Sequence, residues 1–275
     1  MTRNQWIAQT LFAAGMIALG ILAFVYGDFA LVWQPVPAAV PGRTALAYLS
    51  GVIMVAGGIG LLFPRTATLA IRVLFPYIII WTLLRVPSIV ASPGTEEVWL
   101  GTGELTILLS GGWALFARLA ALPPGSKLAF ATGDSGRRIA RYLFAVALVP
   151  VGISHFVYAK ATADLVPGWL PGHIGWAYLT GAGHIAAGLG VMFSVLPRIA
   201  AIAEAAMLSV FTLFVWIPAI AAAPTTRLPW TAFWISWIFT AAAWLVAESI
   251  APVPAAARAT GSFTTVRVRR SPVRP

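Results

Sequence analysis

The sequence contains no cysteine among its 275 residues, and only 9% of its residues are charged. Without cysteine there can be no structural disulfides, thiolate metal sites, iron–sulfur clusters or dithiol redox chemistry. Soluble domains carry about 25% charged residues, so these few charges cannot cover a surface that faces water. Instead, 60% of the residues are hydrophobic and the mean hydropathy is +0.88. The chain is therefore predicted to be an all-α integral membrane protein.

Acidic residues are also scarce: eight Asp and Glu stand against 18 Lys and Arg, which gives a net charge of +10. The basic residues lie in short segments between and after apolar runs, whereas a nucleic-acid binder would present a folded basic face. They are typical of the segments that set the orientation of membrane helices. No nucleic-acid partner is predicted.

An internal duplication is indicated by paired motifs. The pattern Pro-Gly-x-x-x-x-Ala-Tyr-Leu-x-Gly occurs at residues 41–51 and again at 171–181, an offset of 130. Further along, Pro87, Pro93, Trp99 and Trp113 match Pro218, Pro224, Trp230 and Trp244 at an offset of 131. A repeat of this length predicts two homologous halves.

Each half contains four apolar runs, and a run of about 20 such residues can cross the hydrocarbon core of a bilayer. The predicted spans are residues 7–25, 44–63, 66–91, 98–121, 142–158, 173–193, 198–222 and 229–247. The predicted architecture is two tandem four-helix transmembrane bundles with eight spans in total. Residues 1–121 form the first repeat and 138–250 the second, with a connector at 122–137 and a basic, disordered tail at 251–275.

The positions of Lys and Arg predict the orientation of these spans. With the amino terminus in the cytoplasm, only Arg43, Arg85, Lys160 and Arg227 of the 18 basic residues fall on the outer side. Both termini and the connector are therefore predicted to be cytoplasmic, and a bacterial inner membrane is the expected location. The lipid bilayer is the expected surrounding, and the basic tail would contact its anionic lipids.

Glycine is concentrated in the second and sixth predicted spans, at 44–63 and 173–193. Small residues let helix backbones approach closely where lipid supplies no hydrophobic drive between helices. These two helices are therefore predicted to be the packed centres of their bundles.

A family resemblance is carried by several motifs of the second half. They are Gly-Ile-Ser-His-Phe at 152–156, Val-Pro followed by Leu-Pro at 166–171, Thr-Gly at 180–181 and Gly-Leu-Gly at 188–190. With them the sequence resembles the DoxX-like family of small four-helix membrane proteins, with one family unit per half. Family members typically carry a glutamate three residues after the Thr-Gly glycine, where this chain has Met54 and His184.

The resemblance implies a non-catalytic or quinone-proximal accessory of a membrane redox system, because a related subunit belongs to a thiosulfate:quinone oxidoreductase. A membrane redox partner and a bound quinone are implied by the resemblance only, and the residues themselves predict no cofactor.

Ionisable residues inside a membrane are costly and mark candidate sites. Arg85 and Glu104 lie at similar depths, about 10 Å from the outer turn, on adjacent antiparallel spans. A salt bridge between them is the natural expectation. It would either serve a function or only fix the register of the bundle.

The second half carries its own polar set: His155, His184 and Glu204. Their sequence positions place them at three different depths, which predicts a path across the membrane more than a single centre. A metal needs ligands within about 2.2 Å of one point, so no metal site is predicted. A hydrogen bond between His184 and Glu204 would relay a proton or hold a polar ligand. In the alternative, a neutral histidine is satisfied by a backbone carbonyl or a serine.

Three functional hypotheses stay open at this point. The resemblance favours the redox accessory, the buried charges favour a small-solute or proton-linked transporter, and a scaffold would use the same residues for packing alone. The sequence lacks the Gly-x-Ser-x-Gly and His-Glu-x-x-His patterns of hydrolases, so no catalytic residue is predicted and enzymatic activity is not favoured.

Overall fold

A computed structural model of the chain describes residues 1–31, 33–123 and 125–250. The tail at 251–275, predicted to be disordered, lies outside the described residues. Within the described ranges the chain forms helices joined by turns, with no strand. The α-helices are α1 (Arg3–Tyr26), α2 (Arg43–Leu61), α3 (Ala67–Leu83), α4 (Val86–Ala91), α5 (Glu96–Leu119), α6 (Gly133–Val157), α7 (Ala159–Asp164), α8 (His173–Met192), α9 (Pro197–Phe211), α10 (Ile217–Ala222) and α11 (Arg227–Ser249).

Seven helical segments of the described chain are long and apolar enough to cross a membrane. They are Arg3–Tyr26, Arg43–Leu61, Ala67–Ala91, Glu96–Leu119, Gly133–Val157, Pro197–Ala222 and Arg227–Ser249. The chain is thus an all-α membrane protein, as its composition predicts. The predicted span 173–193, which corresponds to α8, is not among these seven. Helix α8 has 20 residues, but His173, His184 and several glycines lower its mean hydropathy.

Two differences between the helix boundaries and the prediction bear on the candidate site or the connector. The predicted span 66–91 is interrupted after Leu83, and α4 begins at Val86. Pro87 in the first turn of α4 explains the break, because proline has no N–H for the preceding turn. Helix α6 begins at Gly133, inside the predicted connector, and so extends nine residues before the predicted start at residue 142.

One hydrophobic core spans both halves of the sequence. Helix α5 packs against α6, and α11 packs against α1, so the last long helix of each half lies on the first helix of the other. Helices α5 and α11 also contact each other. This packing does not support two separate four-helix bundles.

The most enclosed helix is α5, with 72% of its apolar window buried, whereas the corresponding value for α2 is 39%. Helix α2 packs between α1 and α3, and α8 packs between α6 and α9. The prediction that the glycine-rich helices are packed centres is therefore wrong. Their glycines serve close pairwise contacts: a Cβ on Gly51 would lie 3.0 Å from the Gly20 carbonyl oxygen, and one on Gly181 would lie 2.9 Å from that of Gly152.

Candidate functional site

A cavity of about 640 Å³ lies at the end of the molecule where α6 ends and α8 begins. Helices α5, α6, α8, α9 and α11 form its walls, and residues 158–172, called the roof below, extend over it. Most of the lining is apolar. The polar side chains that line it include Glu104, Ser154, His155, Thr180, His184 and Ser236.

The deep end of the cavity carries a buried hydrogen-bonded pair. His184 Nδ1 lies 2.7 Å from Glu204 Oε1, and each residue is only 1% exposed. The second carboxylate oxygen of Glu204 is buried and has no hydrogen-bond partner. The expected hydrogen bond between α8 and α9 is thus present, and it holds the His184 ring at the cavity wall.

His155 joins this pair from α6. Its ring centroid lies 4.9 Å from that of His184, with the two planes at 67°. Its Nδ1 lies 2.9 Å from Thr180 Oγ1. The three polar residues of the second half therefore form one cluster and do not line a path through the membrane, contrary to the sequence prediction.

Gly181 explains this convergence. A Cβ at this position would lie 2.7 Å from the Cβ of His155, so only a glycine lets α6 come close enough. Gly181 stands one turn before His184 on the same helix. The position of each residue along its own helix does not predict this convergence, because the convergence depends on how closely α6 and α8 approach each other.

The predicted ion pair between Arg85 and Glu104 is absent. Arg85 lies at the break between α3 and α4, and its guanidinium rests on Gly101 of α5, where a Cβ would collide with it. Its Nε is buried without a partner. Glu104 lines the cavity one turn further along α5. The helix break at Pro87 therefore directs Arg85 to a different turn of α5 from the one the prediction assumed.

A π-helical turn at Thr212–Trp216 shapes the cavity wall between α9 and α10. The segment Pro197–Ala222 has 26 residues and its counterpart Ala67–Ala91 has 25. A π turn accommodates one additional residue, and such turns are frequent at functional sites. Phe214 and Trp216 line the cavity from this turn, and Trp216 Nε1 donates to Ser236 Oγ at 2.9 Å. The change of repeat offset from 130 to 131 is the sequence signal that could have located it.

The first half carries a different arrangement at the same end of the molecule. Phe29, Trp33 and Gln34, called the plug below, are buried in the protein. The ring of Trp33 lies 6.5 Å from that of Tyr77. Gln34 Nε2 donates to Ser50 Oγ at 2.9 Å and to Tyr77 Oη at 2.7 Å. A ring and an amide group thus fill the interior next to α2 and α3.

The plug is held by Asp28, which pairs with Arg43 at 2.7 Å and with Arg227 at 3.1 Å. Partial burial acts to raise the pKa of Asp28. Hydrogen bonds from Arg227 and the Phe29 amide, together with the charges of Arg43 and Arg227, outweigh it and lower the pKa below its ordinary 3.8. No ion pair of the described chain involves the roof at 158–172.

In the described ranges, no three His, Asp or Glu residues lie close enough together to hold a metal ion. No family model, curated protein or solved structure matches this chain. The DoxX-like resemblance therefore stays a prediction.

Proposed function

We propose that this protein is a non-catalytic, quinone-proximal accessory of a membrane redox system, which holds a lipid-soluble ring compound with carbonyl groups in the cavity of its second half. The observation that carries the proposal is an apolar cavity of about 640 Å³ whose deep end presents two histidines, one bonded to a buried carboxylate. Ligand sites typically combine a mostly apolar wall with a few placed polar groups, in volumes of about 300–1,000 Å³.

The ligand chemistry follows from the lining. Phe211 lies 6.0 Å from the His155 ring and 6.1 Å from the His184 ring, so three flat side chains converge at one end. Aromatic walls favour a planar ring. His184 bonds Glu204 through Nδ1, so its Nε2 donates to a carbonyl oxygen of that ring when the imidazole carries both protons. The hydrogen bond to Glu204 fixes the orientation of the His184 ring at the cavity wall.

We further infer that the two halves arose by duplication. Equivalent positions share their local geometry: Gly42 and Gly172 start α2 and α8 with φ of 66° and 71°. Trp99 Nε1 bonds the Pro93 carbonyl and Trp230 Nε1 bonds the Pro224 carbonyl, both at 2.8 Å. These pairs support the repeat that the sequence motifs predict.

The duplication makes the plug informative about the ligand. Ser50 of the first half corresponds to Thr180 of the second at an offset of 130, and Gln34 donates to Ser50. The plug therefore occupies in one half the region that is open in the other. In the first half, the ring of Trp33 and the amide of Gln34 fill this region. By analogy, a bound compound with a ring and a carbonyl group would fill the cavity of the second half.

The duplication also supports eight spans with both termini in the cytoplasm. Helix α8 packs between α6 and α9, both apolar enough to span, and it is the counterpart of α2. His184, which lowers the hydropathy of α8, belongs to the site. With α8 counted as a span, the cavity opens on the outer side and the connector lies on the inner side.

The test uses a decyl-substituted 1,4-benzoquinone and the full-length protein in lipid nanodiscs. Quenching of tryptophan fluorescence reports binding, because Trp169, Trp176 and Trp216 line the cavity. The variant His184→Met with Glu204→Leu gives the site the residues found at Met54 and Leu74 of the first half. We expect it to bind at least about tenfold more weakly, since a charge-assisted hydrogen bond contributes about 1.5–3 kcal/mol.

The matched control is Tyr77→Phe, which removes a polar group from the plug region and should bind as the wild type does. Equal binding by the double variant, or no binding by the wild type, contradicts the proposal. If the wild type shows proton-coupled flux in vesicles and the double variant abolishes it, the result favours the transporter instead. A variant that loses only stability or assembly would favour the scaffold.

A further inference from the structure

A second cavity, of about 520 Å³, lies at the opposite end of the molecule. Five helix ends meet there: α1, α6 and α9 begin at this cavity, and α5 and α11 end at it. It is separate from the histidine cavity and shares no lining residue with it.

Three arginines line this cavity, and two of them have acidic partners. Arg137 pairs with Asp134, and Arg198 Nη2 lies 2.9 Å from Glu248 Oε1. Arg118 has no acidic partner: its Nη2 donates to the neutral Gln9 Oε1 at 2.6 Å. The Nε of Arg118 is buried and has no hydrogen-bond partner. The lining thus carries one uncompensated positive charge and an unused buried donor.

The helix ends add to this preference for an anion. Free N–H groups and the positive ends of helix dipoles attract anions, and three helices begin here while two end. Lining residues at these helix starts include Thr2, the N-cap of α1, together with Gln5 of α1 and Arg198 of α9. Leu245 and Ile250 provide an apolar side to the same cavity.

We propose that this cavity binds a phosphate group, with Arg118 as its principal ligand. A planar guanidinium with free donors is well matched to phosphate oxygens. The group would come from the headgroup of an anionic phospholipid or from soluble phosphate. Basic pockets between membrane helices on the cytoplasmic side bind phosphate-bearing headgroups, and this end carries the predicted cytoplasmic connector.

The experiment measures thermal unfolding of the full chain in phosphatidylcholine nanodiscs. One arm adds increasing fractions of phosphatidylglycerol, and a second arm adds inorganic phosphate to pure phosphatidylcholine discs. Stabilisation in the first arm alone identifies a lipid headgroup as the source, and stabilisation in the second identifies soluble phosphate. Either result supports the site if it depends on Arg118. Native mass spectrometry then counts the retained phosphatidylglycerol molecules.

Arg118→Gln should weaken the apparent affinity about tenfold, as expected for one charge-assisted contact to phosphate. Arg138→Gln is the matched control, because Arg138 is an exposed neighbour of Arg137 on α6 outside the cavity and its loss changes the net charge equally. If Arg118→Gln does not fold, Arg137→Gln takes its place. No stabilisation in either arm, or an equal loss in the Arg138→Gln variant, overturns the proposal.

Discussion

At the residue scale, the polar centre of the second half differs from the first at two buried positions. His184 and Glu204 stand where the first half has Met54 and Leu74, and all four side chains are almost fully buried. An apolar pair therefore already exists in this chain at equivalent places. The hydrogen-bonded pair costs desolvation that Met and Leu avoid, which indicates that it is retained for a reason other than packing.

Single substitutions in this pair should destabilise the protein more than the double substitution does. His184→Met leaves a buried carboxyl without its partner and should lower the free energy of unfolding by about 3 kcal/mol. Glu204→Leu should cost less, about 1–2 kcal/mol, because it leaves only one ring nitrogen of His184 without its hydrogen-bond partner. The double variant should unfold close to the wild-type temperature. Thermal unfolding in detergent of all four proteins measures the coupling, and additive losses would contradict it.

The pairing of Asp28 predicts a stability change in acid. Its pKa is lowered in the folded protein, so its contribution is complete above the ordinary value of 3.8 and is lost as the pH falls through the lowered pKa. Asp28→Asn should unfold at a lower temperature than the wild type at pH 6, and the difference should shrink below pH 3.8. Unfolding temperatures measured from pH 6 to pH 2 check this. A gap that is constant over this range would show that the charge of Asp28 is not involved.

At the element scale, a π turn follows α9, whereas α3 ends without one. Thr82 bonds the Ile78 carbonyl and Thr212 bonds the Leu208 carbonyl at an offset of 130, whereas Pro87 and Pro218 differ by 131. The additional residue of the second half therefore lies within the π turn. It changes the direction of the side chains that follow, among them Trp216.

Deletion of Leu213 should remove the π turn without unfolding the protein. The flanking segments would then match those of α3 and α4, which pack without an additional residue. We expect the unfolding temperature to stay equal or rise. Binding of the benzoquinone should become weaker, because Trp216 would no longer line the cavity. Deletion of Leu83 in α3 is the control, and it should destabilise strongly because nothing there absorbs the shift. Equal effects of both deletions would refute this account.

Glycine contacts between helices give a second prediction at this scale. Gly181→Ala should destabilise the protein by about 1–3 kcal/mol, because the new Cβ would meet the Gly152 carbonyl oxygen and His155. Gly175→Ala on the same helix meets nothing within 4 Å, and it should be neutral or stabilise by up to about 1 kcal/mol. Thermal unfolding of the two variants compares them directly. A smaller effect at Gly181 than at Gly175 would contradict the close approach of α6 and α8.

At the scale of the whole molecule, the sequence was sufficient for the helical membrane class and for most helix positions, because both depend on local composition. It was not sufficient for the arrangement of the helices. The packing of α5 on α6 and of α11 on α1 is set by contacts between distant residues, which apolar runs do not encode. The ion pair predicted between Arg85 and Glu104 fails for a different and local reason, the helix break at Pro87, whereas the helices that carry His184 and Glu204 bring them together as expected.

The last prediction concerns the crossing of the membrane by α8, and the absence of native cysteine makes it directly measurable. With eight spans, Gly168→Cys in the roof and Thr225→Cys before α11 should react with an impermeant maleimide added outside intact cells. Ser194→Cys, between α8 and α9, should react only after the membrane is opened, because it lies beyond one more crossing. If α8 did not cross, Gly168→Cys and Ser194→Cys would react from the same side, while Thr225→Cys would react from the other. That result would mean that α8, which carries His184, is not a transmembrane helix, and it would remove the reason to expect a lipid-soluble ligand at the histidine cluster.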